Sequence, residues 1–172
     1  LVIIMTLFLL SPDFAFGQKS DVYDELSSSF NYGKKSLEYT EASLGYIKKS
    51  HLQSSVEDVQ LYARRAKNEI DYAKTQTGYA ESDASDAEDE ASDIGFDNTE
   101  DEADNAEGNF YSAKGKFDEA YTYLRRVEHA DNKEDADYNL RRAKSSIEDG
   151  LRYLSYALED LNDAVDELNN NN

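Results

Sequence analysis

Beyond Pro12 the chain contains no proline, and through that stretch small and apolar residues return at alternating steps of three and four. That alternation averages 3.5 residues, the period of an α-helix that keeps one stripe against neighbouring helices. Without the proline ring, nothing forces such a helix to break. Four stripes are legible. The first follows Tyr23, Leu26, Phe30, Gly33, Leu37, Thr40, Leu44 and Ile47, in a helix expected from about Ser20 to Ser50, with Ser36 and Ser43 extending the stripe sideways. The second runs Val56, Val59, Ala63, Ala66, Ile70, Ala73, Thr77, Ala80, Ala84, Ala87, Ala91 and Ile94. The third is Ala103, Ala106, Phe110, Ala113, Phe117, Ala120, Leu124 and Val127, and the fourth runs from Ala136 through Leu140, Ile147, Leu154 and Leu161 to Leu168.

The connections carry helix-end chemistry. Ser55 with Asp58, and Thr99 with Glu102, have the spacing of a capping box, in which side chains satisfy the open N–H groups of a first turn. Asp131-Asn132 offers a further cap, and Gly95 suits a left-handed helix end. Asn169–Asn172 is expected to fray.

A segment also occurs twice. Glu57–Lys67 reads EDVQLYARRAK and Glu134–Lys144 reads EDADYNLRRAK, 77 positions apart. Over the longer spans Tyr46–Ala91 and Tyr123–Leu168, 15 of 46 aligned positions are identical. Biased helical composition alone would give about five or six. The expected fold is therefore all-α: an antiparallel up-down-up-down four-helix bundle, coiled-coil-like, built from two repeated helical hairpins over about 20–95 and 99–168. Gly115–Ala120 resembles a fragment of a tetratricopeptide repeat, but the internal period of 77 is far from that family's.

Residues 1–17 read LVIIMTLFLLSPDFAFG. Leu1–Leu10 is apolar apart from Thr6 and too short to span a bilayer, and Ala15 and Gly17 supply small residues before Gln18. This has the form of a secretory leader cut before Gln18, so the expectation is an exported protein, periplasmic or extracellular, with no transmembrane segment in the mature chain.

Charge is unevenly placed. Asp and Glu total 37 against 18 Lys and Arg, a net charge of −19 that opposes general nucleic-acid binding. Folding the stripes into hairpins gathers the basic pairs Lys48-Lys49, Arg64-Arg65, Arg125-Arg126 and Arg141-Arg142 near one end, here called the top. Tyr46, Tyr62, Tyr123 and Tyr138 each lie two or three residues before a pair. Between Lys74 and Lys114 there are 13 acidic residues and no basic one, which makes the other end strongly acidic. The belt has two readings: intramolecular pairs with carboxylates of the same helices, or a cationic, aromatic-flanked surface for an acidic partner, glycan or lipid headgroup. Tyr32, Tyr39 and Tyr46 recur every seven residues and form either the border of the core or a ridge for a partner helix.

The acidic end admits weak calcium binding or head-to-tail self-assembly against the belt. Asp97–Gly108 resembles an EF-hand loop but carries Glu102 where the obligatory glycine belongs and Gly108 where the bidentate glutamate belongs. No cofactor motif is present. Cysteine is absent, and His51 and His129 stand beside the connections with no Glu-x-x-His spacing around them. No catalytic residue is expected. The expected role is binding or scaffolding, with a protein partner or a second copy of the chain.

Overall fold

In the computed structural model, residues 16–170 are described. They form α1 (Phe16–His51), α2 (Val56–Asp93), α3 (Asp97–Glu128) and α4 (Lys133–Asn170). At 1.5 Å per residue the 38-residue helices are about 57 Å long. Each helix packs most extensively on the next in sequence, and α4 closes on α1 over a smaller contact. The result is an all-α four-helix bundle in sequential up-down order. The expected leader lies outside the described residues except for Phe16 and Gly17, the first two residues of α1. Asn169 and Asn170 complete α4, and the rest of the expected tail lies outside the described residues.

The stripes of α2, α3 and α4 are buried as the pattern predicts, except that Val56 and Ile94 at the ends of the α2 stripe are only half-buried, and Thr99, Ser146 and Leu158 are added to them. The α1 stripe differs. Its buried face is Val22, Leu26, Ser29, Gly33, Ser36, Thr40, Ser43, Ile47 and Ser50, with Phe30 beside it, whereas Tyr23, Leu37 and Leu44 are only half-buried. The face opposite explains the rotation. α2 presents mostly alanines, so the two backbones approach closely, and side chains as short as serine fit the gap where leucine would not.

Those serines recur every seven residues, and each donates its hydroxyl to a backbone carbonyl of α2. Ser29 Oγ donates to Ala80 O (2.7 Å), Ser36 to Ala73 O (3.0 Å), Ser43 to Ala66 O (2.9 Å) and Ser50 to Val59 O (2.9 Å). Thr77 Oγ1 lies 2.7 Å from Ser36 Oγ and also donates to Ala73 O. Every one of these buried hydroxyls is thereby satisfied, as burial requires.

Most of the largest buried side chains come from α3 and α4, with Leu26, Ile47 and Ile70 from the first hairpin, and glycines make room for the two phenylalanines. A Cβ at Gly150 would lie 2.5 Å from the Phe117 ring, and one at Gly33 would lie 2.8 Å from Leu158 and 3.2 Å from Phe110.

The helix ends follow local chemistry. Ser55 caps α2, its Oγ accepting from Asp58 N, and Asn132 Oδ1 accepts from Asp135 N at the start of α4. Gly95 has φ +73, and Phe96 N donates to Ala91 O while Gly95 N donates to Ser92 O. This is a Schellman ending, and it buries part of Ile94 and Phe96 against the core. The expected Thr99–Glu102 cap is not formed, because the tight turn starts α3 two residues earlier, at Asp97. The Phe96 carbonyl already accepts from Thr99 N and Glu100 N, and Thr99 is buried inside the first turn.

Glycine substitutions separate packing from propensity. Gly150→Ala is expected to destabilise the bundle by about 1–3 kcal/mol through overpacking against Phe117. Gly108→Ala and Gly115→Ala, where a Cβ meets nothing within 4 Å, are expected to stabilise it by about 0.5–1 kcal/mol. Urea denaturation of the three variants checks both signs.

Candidate functional site

The basic pairs encircle the top of the bundle. Spacing of three within a helix lets a cation fold back over the ring one turn earlier. Lys49 Nζ stands 5.2 Å from the Tyr46 ring centroid and the Arg65 guanidinium 5.5 Å from that of Tyr62. Tyr123 takes two cations, Arg126 at 5.2 Å and Arg142 at 5.4 Å, and Arg142 Nη2 also donates to Tyr123 Oη. Arg141 Nε donates to the Asp137 carbonyl on its own helix.

Only Arg64 of these eight cations has a carboxylate within 4.0 Å among the described residues, its Nε lying 3.7 Å from Glu128. Among the described residues, Lys48 and Arg125 have neither a ring within cation–π distance nor a carboxylate within 4.0 Å. The belt is therefore stiffened by its own tyrosines and remains largely uncompensated. On the outer side of α3, Tyr121, Thr122, Arg125, Arg126 and His129 frame a shallow concavity. On the other side of the top, burial lowers the pKa of His51, with Arg141, Lys133 and Lys144 pushing the same way against Asp137.

Ion pairs seal the groove between α2 and α3. Lys67 Nζ meets Glu128 at 2.6 Å, Lys74 meets Asp118 at 3.1 Å, and Lys114 meets Glu81 at 2.6 Å. Glu128, which sequence reasoning passed over, accepts from Lys67 and forms a looser ion pair with Arg64. Its neighbours lie 61 and 64 positions away in sequence, so no local pattern marks it.

Aromatic rings fill the outer groove between α1 and α2 instead. Tyr32 pairs with Tyr79 (centroids 5.2 Å apart, planes at 50°) and Tyr39 with Tyr72 (5.4 Å, 37°). The α1 members are half-buried, and Tyr72 and Tyr79 are 58% and 51% exposed. Sequence reasoning found Tyr32, Tyr39 and Tyr46 but missed their counterparts. The signal was available, since Tyr72 and Tyr79 keep the same spacing of seven on the helix that runs back.

Toward the bottom the same groove turns acidic. Carboxylate oxygens of Glu25, Asp83 and Asp86 lie within 4.8 Å of one another, as do those of Glu88, Asp104 and Glu107 between α2 and α3. Ser28 Oγ donates to Asp83 at 2.6 Å. Burial raises the pKa of Glu25, and Asp83, Glu90, Asp86 and Asp24 raise it further. Burial also leads for Glu88, with Asp104 and Glu107 behind it, and for Glu90, with Asp21 and Asp86 behind it. In the α3–α4 groove Asp160 is raised by burial, partly offset by a 2.7 Å hydrogen bond from Asn109.

The buried polar side chains among the described residues are all serine or threonine. No helix among those residues is long and apolar enough to cross a membrane. Comparison with protein-family models, curated proteins and solved structures finds no match.

These raised carboxyl groups fix the sign of a pH effect. Each favours its neutral form more when folded than when unfolded. Their contribution to stability is therefore complete below the unfolded values near pH 4 and is lost as pH rises through the raised folded values. The melting temperature is expected to rise on acidification from neutral toward about pH 5, and Glu25→Gln with Glu90→Gln is expected to flatten that rise. Thermal melts across pH check both.

Proposed function

We propose that this is an exported, non-catalytic helical-bundle protein that works by binding, docking an acidic protein partner at the top of α3. The observation that carries the reading is the concavity around Arg125, Arg126 and His129. None of the three has a carboxylate within 4.0 Å among the described residues, and Tyr121 beside them adds an aromatic flank of the kind that favours cation-rich contacts. Arg125 and Arg126 can pair with an acidic chain without giving up an internal ion pair, so docking there carries little cost in lost contacts. A binding role also suits a core whose polar groups are hydroxyls, mostly engaged by backbone carbonyls, with no buried acid–base pair. Export is supported by the apolar opening followed by small residues before Gln18.

We also infer that the two hairpins are duplicated units. Arg142 over Tyr123 occupies, 77 positions on, the place of Arg65 and Tyr46 in the first hairpin.

A second reading, weak calcium binding, is favoured by the two carboxylate triads. Their oxygens are close enough to share one hard cation, which would relieve the like-charge repulsion that adds to burial in raising Glu25 and Glu88.

One experiment separates the two. Tagged protein crosslinked in its native envelope is expected to retain one stoichiometric partner, and Arg125→Glu with Arg126→Glu is expected to lose it while keeping its melting temperature. Retention by the charge-reversed bait contradicts the docking site. A melting temperature that climbs in millimolar calcium, and does so less after Asp83→Asn, would instead support the cation reading.

A further inference from the structure

The tyrosine pairs between α1 and α2 belong to a longer ladder. Tyr32 faces Tyr79 and Tyr39 faces Tyr72, so each seven-residue step up α1 is matched by seven down α2. Carried one step further each way, this register sets Arg65 opposite Tyr46 at the top and Asp86 opposite Glu25 at the bottom. The bottom rung is confirmed by the close approach of Glu25, Asp83 and Asp86 oxygens. At the top, Lys49 over Tyr46 and Arg65 over Tyr62 make that rung cationic. The ladder therefore reads acid, aromatic pair, aromatic pair, cation with aromatic, at intervals of about 10.5 Å.

A face with that order is complementary to its own reverse. We propose that the α1–α2 face binds a second copy of this chain, turned end for end about a two-fold axis midway between the Tyr32–Tyr79 and Tyr39–Tyr72 pairs. Each copy's Glu25–Asp86 rung then lies over the other copy's Tyr46–Arg65 rung. The two central tyrosine rungs of one copy cover those of the other. Both ends are satisfied by the same operation, which is the signature of an isologous contact and closes the assembly at two.

Three observations favour this occupant. Paired rings occur, among the described residues, only on this face. Its central rings Tyr72 and Tyr79 are more than half exposed, whereas the α2–α3 and α3–α4 grooves are spanned by ion pairs or hydrogen bonds. The sign of charge reverses along the ladder, so the contact offsets locally the repulsion expected of two chains of net charge −19. At about 0.15 M salt the screening length is about 8 Å, which mutes that global repulsion more than it mutes ion pairs in contact. Three rung intervals on two helices cover about 30 Å by 20 Å, hence about 1,200 Å² in total across both copies, the lower end for specific interfaces. The pairing is accordingly a reversible dimer in the micromolar range.

The test is sedimentation equilibrium of the full chain at about 0.15 M salt, from low micromolar to several hundred micromolar. A monomer–dimer equilibrium that stops at dimer mass is expected. Tyr72→Ala with Tyr79→Ala should weaken it at least about tenfold, with helix content unchanged by circular dichroism. Arg65→Glu and Asp86→Arg should each abolish self-pairing, and an equimolar mixture of the two should restore a dimer, since opposite charges then meet at both ends. Because the chain has no cysteine, Lys35→Cys, placed beside the axis, should crosslink copy to copy with a short bis-maleimide. A chain that stays monomeric throughout overturns the proposal and leaves the ladder to a foreign helix or a sugar chain. Growth beyond dimer mass, or no recovery on mixing, overturns the two-fold geometry. Arg125 and Arg126 lie outside this face, so failure here and failure of the partner site at α3 are told apart by which variant responds.

Discussion

The bundle depends on how closely α1 approaches α2. Four serines spaced by seven reach carbonyls of a helix faced with alanine, at 2.7–3.0 Å. A hydroxyl on one carbon can make that bond only when the backbones are near, and only small side chains let them come near. Hydrogen bonding and close packing are thus one constraint at this seam. Each bond contributes a net 0.5–1.5 kcal/mol, or about that. The larger consequence is geometric, because the thin first hairpin leaves most of the core's largest side chains to be supplied from α3 and α4. Phe110, Phe117, Leu140, Ile147, Leu154 and Leu161 fill it, and Gly33 and Gly150 yield the space that the two phenylalanines take.

Once the seam fixes the register of α1 on α2, the outer positions fall into line. The same seven-residue period that stacks serine on carbonyl inside stacks tyrosine on tyrosine outside. It also brings Glu25 to Asp83 and Asp86 below. The α2–α3 groove uses charge for the same purpose, with lysines meeting carboxylates at three successive levels. Below those levels Glu88 meets Asp104 and Glu107. At the acidic end burial acts first and neighbouring like charges add to it, so its carboxyl groups hold their protons more tightly.

Much of the architecture was legible from spacing. The stripes of α2, α3 and α4, the caps at Ser55 and Asn132 and the turn at Gly95 follow from local rules of periodicity and helix ends. The α1 face departs from the pattern at Tyr23, Leu37 and Leu44, because the pattern weights large apolar residues over small polar ones. Tyr23, Leu37 and Leu44 look like core until the alanine face opposite is taken into account, and Ser29 and Ser50 look like surface. Thr99 was misread as a cap because the Schellman turn, a backbone event, starts α3 before it. The basic belt was legible as a set of residues, but which of its cations keeps a carboxylate depends on Glu128 arriving from α3 beside Arg64. Likewise, Tyr32, Tyr39 and Tyr46 announced a ridge, while its charge order emerged only when α2 was laid beside α1.

The most direct measurement is the unfolding free energy of Ser43→Leu beside that of Ser43→Ala. An ordinary apolar seam would gain from leucine at a buried stripe position, because more apolar surface is removed from water. A seam set by close approach loses. Ser43→Ala is expected to cost about 1 kcal/mol for the missing hydrogen bond to Ala66, and Ser43→Leu is expected to cost clearly more through forced separation of α1 from α2. A leucine variant as stable as the parent chain, or more stable, would contradict the account.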